Sequence, residues 1–263
     1  MFAKINSAAL NGLKAISVTL EVNAFLTKGG DGTESTFFMV GLPDNAVRES
    51  KQRVLSALAN SAFRLPRMNV TVNLAPADIR KEGSGFDLPL AVGLLKTTDI
   101  VKADRLDEVA FVGELGLDGT IRSVRGALPI AIEARQQGFK ALFVPKANER
   151  EAGVVNHLKV YGVKTLKEVV DALNGNLSLT PVAVNTRADF YAAQTTYPLD
   201  FAEVKGQVAA KRAFEVAAAG GHNLMIVGSP GCGKSMMAKR LPSILPQLTL
   251  AESLETTQIY SIA

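Results

Sequence analysis

The sequence predicts an α+β domain over residues 1–175, a linker over 176–198, and the start of an α/β P-loop domain over 199–263. Three observations carry this. Period-2 strands and apolar helical faces interleave through the first 175 residues, with at least one tight hairpin. After Gly175 the chain turns to Thr, Ala, Asn, Tyr and Pro with little periodicity. At 228–235 the run Gly228-Ser229-Pro230-Gly231-Cys232-Gly233-Lys234-Ser235 meets every fixed position of the pattern G-x-x-x-x-G-K-[ST].

In order along the chain, Ile16, Val18, Leu20 and Val22 alternate with Ser17, Thr19 and Glu21, which predicts a half-buried strand within 14–27. Gly29-Gly30-Asp31-Gly32 is a turn, and Phe37–Leu42 is the next strand. Pro43 ends it, and Asp44 caps a helix with Val47, Val54, Leu55 and Leu58 on one face. Met68–Leu74 alternates as a third strand. A loop from Ala75 to Gly85 leads into a helix carrying Leu88, Leu90, Val92, Leu94 and Leu95. Val109–Leu115 is a fourth strand, turned by Asp118-Gly119 into Thr120–Val124. A helix to about Gln137, short strands at Ala141–Val144 and Lys159–Tyr161, and a helix near Lys164–Leu173 complete the domain.

Beyond the linker, Leu199–Gln207 opens the second domain, and a helix runs through Ala209, Ala213, Phe214 and Ala217. Asn223–Val227 is a short apolar run that reads as a buried parallel strand. Ser235–Leu241 reads as a helix stopped by Pro242. A strand before the motif and a helix after it are the context the motif requires. Gly228, Gly231 and Gly233 permit backbone turns closed to residues with a Cβ. The freed N–H groups and the helix N-terminus form a nest for phosphate. Lys234 reaches the β- and γ-phosphates, and the Ser235 hydroxyl is a candidate Mg²⁺ ligand, so ATP with Mg²⁺ is the expected cofactor. Only 28 residues follow Ser235, so the P-loop domain is expected to be unfinished within this sequence.

Composition excludes several classes. The 47 % hydrophobic content suits a sizeable core, and no apolar run of membrane-spanning length occurs. The single cysteine, Cys232, excludes an internal disulfide and a multi-cysteine metal site. The first residues carry no export signal, so a reducing cytoplasm is expected. The net charge of +4 is mild but uneven. Between 47 and 81 lie seven cations, Arg48, Lys51, Arg53, Arg64, Arg67, Arg80 and Lys81, against Glu49 and Asp78. That stretch is either a solvated face or a patch for DNA phosphates. His157 and His222 stand alone, with no metal-ligand spacing around them.

Asp200–Gln207, Ala218-Ala219-Gly220-Gly221-His222-Asn223 and the P-loop together resemble the opening of a magnesium-chelatase-type AAA+ module. Ser7–Gly12 and Phe38–Pro43 resemble the opening stretch of the YifB family, in which a Lon-protease-like domain precedes that module. The resemblance spans the whole sequence and covers the front half of such a protein, so the chain is expected to be an N-terminal fragment. It implies a homo-hexameric ATP-driven ring motor, with members that act as DNA helicases promoting branch migration in natural transformation. The same engine also suits a metal-chelatase or a protein-remodelling ATPase, and the fragment alone suits a non-catalytic interaction module.

Lon-type peptidases use a Ser-Lys dyad. Lys81–Asp87 resembles the Lon serine loop, with Gly85 in the nucleophile position and Ser84 one residue early. Val124–Pro129 resembles the lysine stretch, with Leu128 in the lysine position. Arg125 is no substitute base, because its guanidinium stays protonated. The resemblance therefore implies a scaffold without peptidase activity. No catalytic residue is assignable for ATP hydrolysis either, since no apolar strand ending in Asp-Glu follows Ser235.

Overall fold

The computed structural model describes residues 1–27, 36–193 and 197–263. The turn expected at Gly29–Gly32 lies outside the described residues. The chain divides into two compact units, 1–184 with 256–263, and 185–255.

In the first unit, β1 (Phe2–Asn11) and β2 (Lys14–Leu26) form a long antiparallel hairpin from Phe2↔Asn23 to Asn11↔Lys14. Alternation along β2 placed it correctly: Val18, Leu20, Val22 and Ala24 are buried, and the residues between them less so. β1 was not predicted. Its Ser7, Ala8 and Ala9 are all buried, so both faces of the strand are covered and the period-2 signal disappears.

β4 (Met68–Ala75) pairs antiparallel with β2, and β3 (Phe37–Val40) pairs parallel with β4 at the sheet edge. The crossover between β3 and β4 is α1 (Asn45–Asn60), as a parallel pair requires. Asp44 caps it, accepting from the Val47 amide at 2.7 Å. β5 (Val109–Phe111) lies parallel to β1, then β8 (Ala141–Pro145) and β9 (Lys159–Val163) extend the parallel part. The seven strands run in the order β3-β4-β2-β1-β5-β8-β9. Within this seven-stranded sheet antiparallel pairing is confined to β1, β2 and β4, so the sheet is mixed and mostly parallel, in an α/β unit.

The expected strand Val109–Leu115 is broken. After β5, the Gly113 amide donates to the Gly85 carbonyl at 2.9 Å and its carbonyl accepts from Leu88 at 3.0 Å. The chain then resumes as β6 (Glu114–Leu115), which pairs with β7 (Ile121–Arg122) in a separate ribbon closed by Asp118-Gly119. A side chain at Gly113 would meet Ile121 at 2.9 Å, so this turn needs glycine.

Two cores lie on opposite faces of the sheet. One holds Ile5, Leu20, Val22, Phe111 and Phe143 against α1, α2 (Asp87–Thr97) and α5 (Leu166–Leu173). A capping box, Thr165 with Glu168, starts α5. The other core holds Ala8, Ala15, Ala110, Leu142 and Val144 against α3 (Ala127–Gln136) and α4 (Glu149–Ala152).

The fully buried Asp87 opens α2. Its carboxylate accepts from Arg53 Nε at 2.7 Å and a second guanidinium N–H at 3.0 Å, from the Ser50 hydroxyl, and from the Leu115 amide at 3.1 Å. Burial pushes this carboxyl above its ordinary range, against the pull of Arg53, Ser50 and Leu115. Hydrogen bonding to Asp87 in turn holds the Arg53 guanidinium more firmly in its charged form.

The stretch 176–198 contains α6 (Thr186–Ala193). Before it, Val182 donates to Val160 along the β9 edge at 2.8 Å. In the second unit, α7 (Val208–Gly220) and α8 (Lys234–Arg240) surround a small core of Phe201, Val204, Phe214 and Met237. α8 stops where expected, before a 3-10 turn holding Pro242. The strand expected at Asn223–Val227 does not form: Met225 is 84 % exposed and Val227 80 %. A parallel strand needs neighbours along its edges and cover on both faces, and among the described residues this unit holds no other strand. The last helix, α9 (Leu250–Ile262), crosses the unit boundary and was not predicted.

Arg53→Ala strands a buried carboxylate and is expected to destabilise the protein by about 3–5 kcal/mol. Arg48→Ala, on an exposed side chain of the same helix, stays within about 0.5 kcal/mol. Urea unfolding of both variants beside the parent checks the contrast.

Candidate functional site

The loop 228–235 is built between the exposed run 223–227 and α8. Gly231 and Gly233 have φ of +81° and +89°, a backbone region that side chains rarely adopt. A Cβ on Gly228 would sit 2.9 Å from Cys232 Sγ, so the loop closes tightly on itself. Lys234 Nζ donates to the carbonyls of Gly228 at 2.7 Å and Ser229 at 2.8 Å, and lies 3.6 Å from Cys232 Sγ. Ser235 is exposed in the first turn of α8.

The second unit supports this loop from below. Gln207 Nε2 donates to the Cys232 carbonyl at 3.3 Å, tying the loop to the start of α7. Met237, next to the loop, is buried with Phe201 and Phe214, whose rings stand 5.5 Å apart. Arg240 pairs with Glu203 at 2.6 Å, and the Ser243 hydroxyl accepts from the Phe201 amide at 2.9 Å. Of the predicted loop residues, Gly228, Ser229 and Cys232 contact the Lys234 ammonium. The residue types suit a phosphate group: two glycines at positive φ turn the backbone tightly, and the loop's one cation lies over its own carbonyls.

In the first unit, the two peptidase-like positions carry no dyad. Gly85 has no side chain, and a Cβ there would lie 3.1 Å from Val112. Leu128 is fully buried among the apolar residues of the α3 core. Ser84 donates its hydroxyl to Glu114, whose other oxygen faces Arg122 at 3.6 Å. Arg125 is exposed. Ser84, Gly85, Glu114, Ser123 and Arg125 line one cleft of about 650 Å³. The Glu114 carboxylate beside Ser84 was missed by sequence reasoning, since thirty residues and a chain break in the sheet separate them.

The basic stretch 47–81 is corrected in two places. Arg53 is committed to Asp87, and Lys81 is fully buried with its ammonium donated to the Pro76 carbonyl. Burial pushes the Lys81 ammonium below the ordinary lysine range, with Asp78 pulling the other way. Arg80 faces Glu82 at 3.3 Å. Arg48, Lys51, Arg64 and Arg67 have no carboxylate in ion-pair range among the described residues, and Lys51 lies 5.7 Å over the Phe37 ring. Nothing in residue type marked Arg53 and Lys81 as different from these four. No helix among the described residues is long and apolar enough to cross a membrane.

Two family models match the chain: "Subunit ChlI of Mg-chelatase" over residues 27–148, and "Magnesium chelatase, subunit ChlI" over 200–263. The chain is similar to competence protein ComM of Haemophilus influenzae, 43 % identical over 99 % of this chain and 50 % of that protein. It is similar to the uncharacterized protein YifB of Escherichia coli, 40 % identical over 98 % of this chain and 49 % of that protein. The chain thus spans about half the length of these curated relatives. Shorter similarities run to Lon protease 2 of Bacillus subtilis, 25 % identical over 47 % of this chain and 22 % of that protein, and to DNA repair protein RadA of Listeria monocytogenes, 32 % over 36 % and 21 %.

With Gly85 and Leu128 in the dyad positions, residues 1–184 are expected to leave casein and fluorogenic peptides uncut. Cleavage that disappears on Ser84→Ala would assign the cleft a peptidase after all.

Proposed function

We propose a function for this chain, which belongs to the magnesium-chelatase-like family of ComM and YifB: it carries the phosphate-binding loop and a Lon-like scaffold of an AAA+ ATPase that works on DNA. The observation that carries the reading is the loop geometry around Lys234. Its ammonium is held by two neutral carbonyl oxygens, and a phosphate oxygen competes for it with a full negative charge. The domains are read as a scaffold over 1–175, a linker over 176–198 and the AAA+ module from 199.

ATP with Mg²⁺, when bound, supplies the free energy of phosphoanhydride cleavage. Gly228, Ser229, Pro230, Gly231, Cys232 and Gly233 shape the cradle, Lys234 holds the phosphate charge, and Ser235 offers its hydroxyl to the metal. The first unit contributes no nucleophile and acts as a support and a contact surface.

The substrate reading is DNA, and in its finer form a cytoplasmic homo-hexameric helicase that promotes branch migration during natural transformation. Support comes from the cations Arg48, Lys51, Arg64 and Arg67, which have no carboxylate partner among the described residues, from the competence role in the name of ComM, and from the similarity to a DNA repair protein. A second reading, a motor for metal insertion, is favoured by both family models. DNA-stimulated ATP turnover by the full-length protein supports the first. Stimulation by a porphyrin and not by DNA supports the second.

Lys234→Ala is expected to weaken binding of a fluorescent ATP analogue by roughly 10- to 100-fold, the worth of a charged hydrogen-bond donor. Unchanged binding would remove the loop from the site. Charge reversal of Arg48 and Lys51 is expected to weaken DNA binding at any sequence and to flatten its salt dependence. A titration across salt concentrations reads both quantities, and an unchanged slope returns this face to solvent.

A further inference from the structure

A cavity of about 270 Å³ lies between α1 and the β3–β4 edge of the sheet. Among the described residues its apolar walls come from four segments. β3 supplies Phe37 and β4 supplies Met68 and Val70, with Phe37 and Val70 paired in the parallel register. α1 supplies Leu55, the chain returning from α1 to β4 supplies Leu65, and α2 supplies Leu94. Met68, Val70 and Leu94 are buried, so the inner end of the cavity is apolar. None of these six side chains carries a nitrogen or an oxygen.

Two cations line the same cavity, Lys51 and Arg67. Lys51 precedes Leu55 by one helical turn, so both fall on one face of α1. Its ammonium stands 5.7 Å from the centre of the Phe37 ring, at the wall of the cavity. Arg67 directly precedes Met68 and is exposed. Neither cation has a carboxylate in ion-pair range among the described residues. An apolar hollow and two unanswered positive charges therefore meet on the α1 side of the sheet.

Size and charge together select the occupant. A cavity of about 150 Å³ holds benzene, so one of about 270 Å³ holds about ten carbons. A single leucine or valine side chain from a partner leaves more than half of that space empty. The sugar-phosphate backbone of a nucleic acid has no apolar body to set against Leu55, Leu65 and Leu94. A plain hydrocarbon fills the hollow and leaves both cations unanswered. An anion on an unbranched apolar chain satisfies both. We propose that this cavity binds a medium-chain fatty acid, its chain among Phe37, Leu65, Val70 and Leu94 and its carboxylate held by Lys51 and Arg67. The site uses neither the P-loop nor DNA. Its two donors make charge-assisted hydrogen bonds to one carboxylate, and the chain leaves water for a preformed apolar wall.

Calorimetric titration of the full-length protein with hexanoate, octanoate, decanoate and tetradecanoate, and with 1-octanol as the uncharged analogue, tests the site. The expected result is one saturable site whose affinity rises about 3- to 4-fold per methylene from hexanoate to decanoate and flattens beyond it, where the cavity is full. Octanoate should bind roughly 10- to 100-fold tighter than 1-octanol. Lys51→Gln and Arg67→Gln should each remove much of that margin and leave 1-octanol affinity unchanged, a split that a merely structural role would not give. Leu55→Trp fills the cavity and should weaken acid and alcohol alike. Its unfolding midpoint is checked against the parent, and if it does not fold the two charge variants still decide the outcome. No saturable decanoate binding overturns the proposal, as does octanoate affinity that is undiminished in both charge variants. Affinity that keeps rising to tetradecanoate, with binding to phosphatidylglycerol vesicles that is likewise lost in the charge variants, assigns the patch to a lipid surface and also overturns it.

Discussion

A buried carboxylate organises the first unit. Asp87 joins three elements that share no local sequence: α1 through Ser50 and Arg53, α2 through its own first turn, and β6 through the Leu115 amide. A fully buried anion is costly unless every oxygen is satisfied, and here both oxygens are shared between the guanidinium fork and a second donor. The result fixes the entry to α2, and with it the Gly113 carbonyl that accepts from Leu88 and the Gly85 carbonyl that accepts from Gly113. Ser84 and its cleft hang from that same short segment. The geometry around Ser84 is thus set by packing three residues further on, at Asp87.

The sheet is asymmetric for a related reason. One face is closed from β4 to β9 because α1, α2 and α5 all return to it. The other receives α3 and α4, which follow β7 and β8 and so reach only the parallel end and the turn end of the hairpin. Nothing in the chain order between β2 and β4 supplies a helix for the rest, since α1 is used on the first face. The residues match: small alanines lie under α3 at positions 8 and 15, and phenylalanine, asparagine and threonine lie where no helix follows.

Much of this was legible in the sequence where local physics decided the outcome. β2 and β4 alternate because one face is better covered than the other, and Asp44 marks the start of α1 because an N-cap oxygen needs only its own backbone. The tight turns of the 228–235 loop were legible because glycine spacing marks them, and Gly231 and Gly233 take positive φ there. β1 was not legible, because cover on both faces erases alternation at Ser7-Ala8-Ala9. Nor was the partnership of Arg53 with a residue 34 positions away, or the burial of Lys81, since a cation's residue type says nothing about where its charge is spent. Asn223–Val227 failed for the opposite reason: its composition suits a strand, but a strand is a property of its neighbours as much as of its own residues.

The glycine-rich loop at 228–235 is tightly turned over a small core. Among the described residues, Phe201, Val204, Phe214 and Met237 form the core cluster of the second unit, yet the loop beside them is tightly turned. Two glycines at positive φ set its path, Gln207 ties its far side to α7, and Lys234 closes it by donating to two of its own carbonyls. Both bonds are charge-assisted, because the ammonium is ionised, and an anionic oxygen in place of a carbonyl adds an ion–ion attraction to the same bond. The lysine thus holds the loop shut on itself through the loop's own carbonyls, and the glycines at positive φ make that closed path possible.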